Sequence, residues 1–150
     1  MGLTYAQALD SALCFGWIDG QKRAQDALFW LQRFSPRTSR SIWSRINTEK
    51  AKKLEQAGRM RPAGMSEIAR AQADGRWARA YTSPANSTVP DDLRAALDGN
   101  PAARAFFNAL NQRNRYAILF RVQNVKKAET RARKIAQFVQ MLAKGEKPYP

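Results

Sequence analysis

The sequence predicts an α+β fold, mostly helical, in which a small antiparallel sheet in the first part is followed by a C-terminal helical module. Three observations predict it. Apolar residues recur at helical spacing along most of the chain, two short aromatic-rich runs lie between residues 15 and 35, and the best linker, polar, with a proline and without periodicity, falls at 82–88. The expected organisation is an α+β part over 1–81, a linker at 82–88 and a helical module over 89–150.

Thr4-Tyr5-Ala6-Gln7 has the form of a capping box, and Tyr5, Leu9, Ala12 and Leu13 then share one helical face. Residues 15–23 and 28–35 are expected as two antiparallel strands. Asp19-Gly20 is a dipeptide that favours a tight turn, with positive φ at Gly20. Two strands alone are marginal in water, so the sheet needs a third strand or a helical cover. A helix is expected from an N-cap near Asn47 to Ala57, with Gly58 as its stop. Another is expected from Pro62 to Gly75, burying Met65, Ile68 and Ala69. Beyond the linker, Pro90-Asp91-Asp92 opens a short helix with carboxylates at its positive end. Asn100-Pro101 is an N-cap and first-turn pair, leading a helix with Ala103, Phe106, Phe107 and Leu110 on one face. Residues 114–124 form a central helix around Tyr116, Ile118, Leu119, Phe120 and Val122. The last helix, 128–144, presents Ile135, Phe138, Val139 and Leu142 to the core and ends at Gly145.

Composition narrows the chemistry. Among 150 residues there is no histidine and one cysteine, Cys14. Catalysis through Ser-His-Asp or Cys-His, and zinc sites that use histidine, are thereby excluded. A single cysteine forms no intramolecular disulfide, which fits a reducing cytoplasm. Cys14 lies between Leu13 and Phe15 and is expected as a small buried side chain. No apolar run is long enough to span a membrane, and the first residues lack the features of a signal peptide. Lys and Arg number 26 against 12 Asp and Glu, a net charge of +14. Such an excess draws a protein toward anions: nucleic acid, phosphorylated molecules or an acidic protein surface.

The most suggestive segment runs from Trp30 to Arg45. Arg33, Arg37, Arg40 and Arg45 alternate there with hydroxyls and aromatics, Trp43 among them. Guanidinium groups bind phosphate or carboxylate through paired N–H donors, Ser35, Thr38, Ser39, Ser41 and Ser44 add hydroxyls, and an exposed ring stacks on a base. Arg33, Arg37, Arg40, Arg45 and Trp43 are therefore the candidate anion site. The competing reading places Trp30, Phe34 and Trp43 in the core with the guanidiniums covering apolar surface. A second basic stretch, Arg121, Lys126, Lys127, Arg131, Arg133 and Lys134, is expected mostly on the solvent side of the last helix. Asp19, Asp91 and Asp92 are explained by turn and helix-start roles. No glycine-rich phosphate loop occurs.

Several strings carry a resemblance in combination. They are Leu3–Asp10, Ala12–Gln21, Leu31–Arg37, Ser41–Asn47, Gly58-Arg59-Met60 and Asn100–Phe107. Together they resemble the YdeI/OmpD-associated, or bacteriocin-protection, family of bacterial proteins, along nearly the whole chain. The resemblance implies a cytoplasmic bacterial protein of the stress-response kind. It implies a link to tolerance of bacteriocins or antimicrobial peptides and to an outer-membrane porin. It supplies no reaction and no catalytic residues. It also implies that this chain is short at its N-terminus, since members carry several dozen residues before the Leu-Thr-Tyr string. The expectation is a non-enzymatic binding protein without cofactor or metal, partnered by an envelope or stress-related protein. The alternatives are a nucleic-acid or phosphate-ligand module and, third, an enzyme acting on a small anion. A deep polar pocket would favour the enzyme, a continuous basic face nucleic acid, and an exposed apolar patch beside basic residues a protein partner.

Overall fold

The computed structural model of the chain describes residues 2–150. These residues form a two-stranded antiparallel sheet and seven α-helices, with the sheet in the first part and the helices after it dominating. The chain divides into two compact units, Met1–Ala80 and Tyr81–Pro150.

The first unit opens with α1 (Tyr5–Cys14). Its N-terminus carries the expected capping box: Thr4 Oγ1 accepts from the Gln7 amide at 3.3 Å while the Gln7 side chain accepts from the Thr4 amide at 3.0 Å. Strands β1 (Trp17–Ala24) and β2 (Trp30–Pro36) follow. The tight turn expected at Asp19-Gly20 is not there. Gly20 lies within β1, and the glycines with positive φ are Gly16, Gly58, Gly75 and Gly145. Pairing steps from Asp19↔Phe34 to Lys22↔Gln32, so Gly20 and Gln21 together oppose Arg33 in a bulge. The Gln32 side-chain amide fills it, donating to the Gly20 carbonyl at 2.8 Å. An isolated glycine inside a strand is the usual mark of such a bulge. The chain reverses instead at Asp26, whose carboxylate accepts from the Leu28 and Phe29 amides at 2.8 Å each.

The sheet obtains its cover from α1, which packs on β1. Tyr5 ties the two together, meeting the Trp30 ring at 5.8 Å and donating its hydroxyl to Asp19 at 2.9 Å. Helix α2 (Arg45–Gln56) begins earlier than expected because Ser44, not Asn47, is the cap; its hydroxyl accepts from the Asn47 amide at 3.1 Å. Helix α3 (Pro62–Ala73) starts at its proline but buries Gly64, Ile68 and Ala71, leaving Met65 and Ala69 exposed. The glycine sets that rotation: Gly64 lies so close to the Cys14 backbone that a Cβ would overlap its carbonyl oxygen. The core joins Leu9, Leu13, Trp43, Leu54 and Ile68, with Cys14 buried among them.

The second unit holds a 3₁₀ turn (Pro84–Asn86), α4 (Asp91–Asp98), α5 (Pro101–Ala109), α6 (Gln112–Gln123) and α7 (Ala128–Ala143). Asn100 caps α5 by accepting from the Ala103 amide at 3.0 Å. Its core comprises Leu93, Leu97, Phe107, Ile118, Val122, Ile135, Phe138 and Leu142 among others, with Phe106, Leu110 and Val139 partly buried against it. Helix α7 packs chiefly on α5 and also on α4 and α6. Each fully buried aliphatic side chain here contributes about 1.5–3 kcal/mol. Tyr116 and Phe120, expected in the core of the central helix, are only half-buried; Asn114 and Ala117 are buried in their place.

Candidate functional site

At the end of β2 the chain enters a loop braced from within. The Arg37 amide donates to the Gly16 carbonyl at 2.9 Å. Its side chain is 5% exposed, its guanidinium carbon stands 3.5 Å from the Trp43 ring centroid, and Nη1 donates to the Ile42 carbonyl at 3.1 Å. Trp43 is itself 2% exposed and meets the Trp77 ring at 4.9 Å. A guanidinium taken out of water is costly unless it is stacked and hydrogen-bonded, and a desolvated cation–π contact offsets about 2 kcal/mol of that cost.

A second buried arginine, Arg76, reaches the same loop from beyond α3. Its Nε donates to both Asp74 carboxylate oxygens, at 2.9 and 2.7 Å, and its Nη1 donates to the Ser41 carbonyl at 2.8 Å. Sequence reasoning missed it. The local signal is Asp74-Gly75-Arg76-Trp77, a carboxylate and a tryptophan on either side of one arginine. Three of the five hydroxyls, those of Thr38, Ser41 and Ser44, accept backbone hydrogen bonds. Ser41 Oγ accepts from the Thr38 amide at 2.9 Å, Thr38 Oγ1 from the Arg40 amide at 3.2 Å, and Ser44 caps α2.

The five candidate residues thus divide. Arg37 and Trp43 lie in the interior of the first unit, whereas Arg33 on β2, Arg40 in the loop and Arg45 at the start of α2 are exposed. None of those three forms an ion pair among the described residues. A different feature stands beside them. At the hairpin end Leu28, Phe29, Trp30 and Leu31 are 84%, 58%, 45% and 49% exposed, and the same hairpin carries Lys22, Arg23 and Arg33.

Most of the carboxylates have structural work. Asp10 pairs with Lys50 at 3.4 Å and Arg59 at 3.9 Å, Glu67 with Arg70 at 2.6 Å, and Asp98 with Arg104 at 3.3 Å. Asp92, at the start of α4, accepts from Arg131 of α7 at 2.6 and 3.0 Å, and Arg131 also donates to the Val122 carbonyl at the end of α6 at 2.9 Å. Arg131, read from the sequence as part of a solvated basic face, is therefore the tie between three helices. Its hydrogen bond holds the Asp92 carboxyl below the ordinary carboxylate value, and Asp92 in turn raises the arginine. Burial raises the Tyr116 phenol, and the nearby Tyr81 adds to the shift.

These features define a basic, helix-rich protein of two compact units, with an aromatic hairpin displayed on the first. The comparisons divide at about the same place. Residues 86–145 match the family described as bacteriocin-protection, YdeI or OmpD-associated. Residues 1–67 match a separate model, a domain of unknown function, DUF8412. The resemblance seen in the sequence is thus found in the second unit, and the strings of the first unit fall under the other model. No curated protein and no solved structure matches the chain. No helix among the described residues is long and apolar enough to cross a membrane.

Proposed function

We propose that the chain is a non-enzymatic binding protein of the bacteriocin-protection type, and that the hairpin of the first unit takes a partner protein whose surface is apolar and acidic. The observation that carries the partner is the run Leu28–Leu31, exposed beside Lys22, Arg23 and Arg33. Large apolar side chains left exposed together at one end of a hairpin mark interaction sites, and the basic flank selects for acidic surroundings. The tolerance role rests on the family match at 86–145. The non-enzymatic reading is supported by the engagement of Asp10, Asp19, Asp26, Glu67, Asp74, Asp92 and Asp98 in ion pairs or turn contacts. The test is survival of a bacteriocin-sensitive bacterium expressing the parent or Leu28→Ser with Phe29→Ser, a variant changed only in exposed side chains and first matched to the parent in its thermal melt. The parent should raise survival and the variant should not. A parent without effect refutes the tolerance role; a variant as protective as the parent refutes the hairpin.

A second reading, a nucleic-acid or phosphate-ligand module, is favoured by the exposure of Arg33, Arg40 and Arg45. Three neutralised phosphates on a duplex imply a log–log salt slope of about −2.7. Titration with duplex DNA, RNA and nucleotides at two salt concentrations, repeated with all three arginines changed to alanine, decides it. Binding that is insensitive to salt or to the triple change eliminates this reading.

A further inference from the structure

We infer that a trough along α6 in the second unit binds an extended acidic polypeptide segment in which two carboxylates bracket an apolar side chain. The trough has a volume of about 650 Å³, with Tyr116, Phe120 and Tyr149 as its aromatic lining and Arg113 and Arg121 as its charges. A neighbouring hollow of about 400 Å³ shares Pro84, Gln112 and Tyr116 with it and adds Arg115. The two share part of their walls and both are open to solvent, which suits a stretch of chain better than a single enclosed small molecule. No carboxylate lines either part.

The helix period generates this face. Arg113, Tyr116, Ala117, Phe120 and Arg121 recur at i, i+3, i+4, i+7 and i+8, one stripe of α6. Ile118, Leu119 and Val122 take the other side of the helix into the core, which leaves Tyr116 and Phe120 half-buried. The trough is also preorganised. The Tyr149 amide donates to the buried Asn114 side chain at 2.8 Å, and Tyr116 donates its hydroxyl to the Thr82 carbonyl at 3.0 Å.

The charge arrangement identifies the ligand. Arg113 and Arg121 both lean on the Tyr149 ring, with guanidinium carbons 4.5 and 5.5 Å from its centroid. Arg121 also donates to the Tyr149 hydroxyl at 3.3 Å. Neither arginine forms an ion pair among the described residues, so two like charges share one aromatic ring with no carboxylate within ion-pair distance. They are at most about 10 Å apart, which is about three residues of extended chain. Because alternate side chains of an extended chain share one face, carboxylates at i and i+4 would reach the outer sides of both forks, and the side chain at i+2 would meet Tyr116 and Phe120. Single-stranded nucleic acid fits less well. It needs open ring faces for stacking, whereas Tyr149 is stacked by Arg113 and Phe120 is contacted by Tyr81 edge-on at 5.2 Å and by Tyr116 at 5.8 Å.

The site lies wholly within the second unit, so its failure is separable from that of the hairpin reading. The experiment is fluorescence anisotropy with the full chain and a short labelled peptide in which two glutamates four residues apart bracket a central phenylalanine. Further arms are the same peptide with glutamine for glutamate and a labelled single-stranded oligonucleotide. The protein variants are Arg113→Ala with Arg121→Ala, and Arg113→Gln with Arg121→Gln, which keeps more of the side-chain packing. The control is Lys126→Ala with Lys127→Ala, the same charge removed elsewhere in the unit. Saturable binding is expected for the parent and the control, about tenfold weaker for both arginine variants and for the glutamine peptide. The inference is overturned by an absence of saturable binding, by equal affinity for the glutamine peptide, by an equal loss in the lysine control, or by tighter binding of the oligonucleotide. Bacterial survival under the conditions used for the hairpin is read in parallel: protection that persists when the peptide does not bind refutes the trough alone.

Discussion

Gly64→Ala is the substitution for which local propensity and tertiary packing predict opposite signs. Gly64 is a helical residue of α3, and replacing glycine by alanine inside a helix ordinarily stabilises by up to about 1 kcal/mol. The added Cβ, however, would overlap the Cys14 carbonyl oxygen and lie 2.8 Å from the Cys14 carbonyl carbon and 2.6 Å from Met60 Cε. Methionine can move. The Cys14 carbonyl cannot do so freely, because it ends α1 and accepts from the Arg61 amide at 3.0 Å. Relief requires α1 and α3 to separate, which disturbs the core of Leu13, Ile68 and Ala71. Overpacking typically costs about 1–3 kcal/mol, and a backbone obstacle places this site toward the upper end. The net expectation is a destabilisation of about 1–2 kcal/mol after the propensity gain. Urea unfolding followed by tryptophan fluorescence measures it cleanly, since Trp17, Trp30, Trp43 and Trp77 all lie in the first unit. A midpoint equal to or above the parent's refutes the close approach of the two helices.

Three further outcomes are expected. Phe138→Ala removes a buried ring from the second core and should cost about 3–5 kcal/mol, read as a large drop in the far-ultraviolet circular-dichroism melt; a melt matching the parent's contradicts the placement of α7. Asp92→Asn breaks the tie to Arg131. Because the folded Asp92 carboxyl titrates below its ordinary 3.8, its contribution is present above that value and lost as pH falls through the lower folded one. The difference in melting temperature from the parent should therefore be largest near neutrality and close in acid, and a constant difference contradicts the ion pair. Arg37→Lys keeps the charge but loses the planar stack on Trp43, at a cost of about 1–2 kcal/mol to the first unit, while Arg40→Lys is neutral; equal effects of the two contradict the interior role of Arg37.

The helices were legible because their signals are local. Thr4 with Gln7, Asn100 with Pro101 and the glycines at 58 and 145 are cap and stop residues acting within one turn, and φ at those two glycines is 67° and 73°. The face of α7 was legible for the same reason: Ile135, Phe138 and Leu142 keep one period. What was not legible depends on partners distant in sequence. Asp19-Gly20 has the chemistry of a turn, yet β2 pairs through it and converts the glycine into a bulge. Met65 is the more apolar residue of α3, but Gly64 faces inward because only a residue without a side chain admits the Cys14 carbonyl.

The arginines show the same limit where it bears on function. Arg37 and Arg40 are three positions apart in one polar loop, and only the placement of Trp43 sends the first inward and leaves the second exposed. Charge alone therefore does not point to a site here. Counted from the sequence, residues 1–80 carry 14 basic and 7 acidic groups and residues 81–150 carry 12 and 5, so each unit has the same net charge of +7. Attraction to anions is in that sense common to both units. Apolar surface is not. Leu3, Phe15, Leu28, Phe29, Trp30 and the other large hydrophobics exposed beyond a third of their surface all belong to the first unit, while those of the second are buried or half-buried, among them the rings beside the two arginines that lean on Tyr149. A partner drawn by charge would meet either unit, but what it can bury there differs: a broad aromatic hairpin on one, a narrow rimmed trough on the other. On the two readings proposed above, the hairpin selects by its apolar contacts, with its basic flank governing rate of encounter and salt dependence, whereas the trough selects by its two arginines together with its rings.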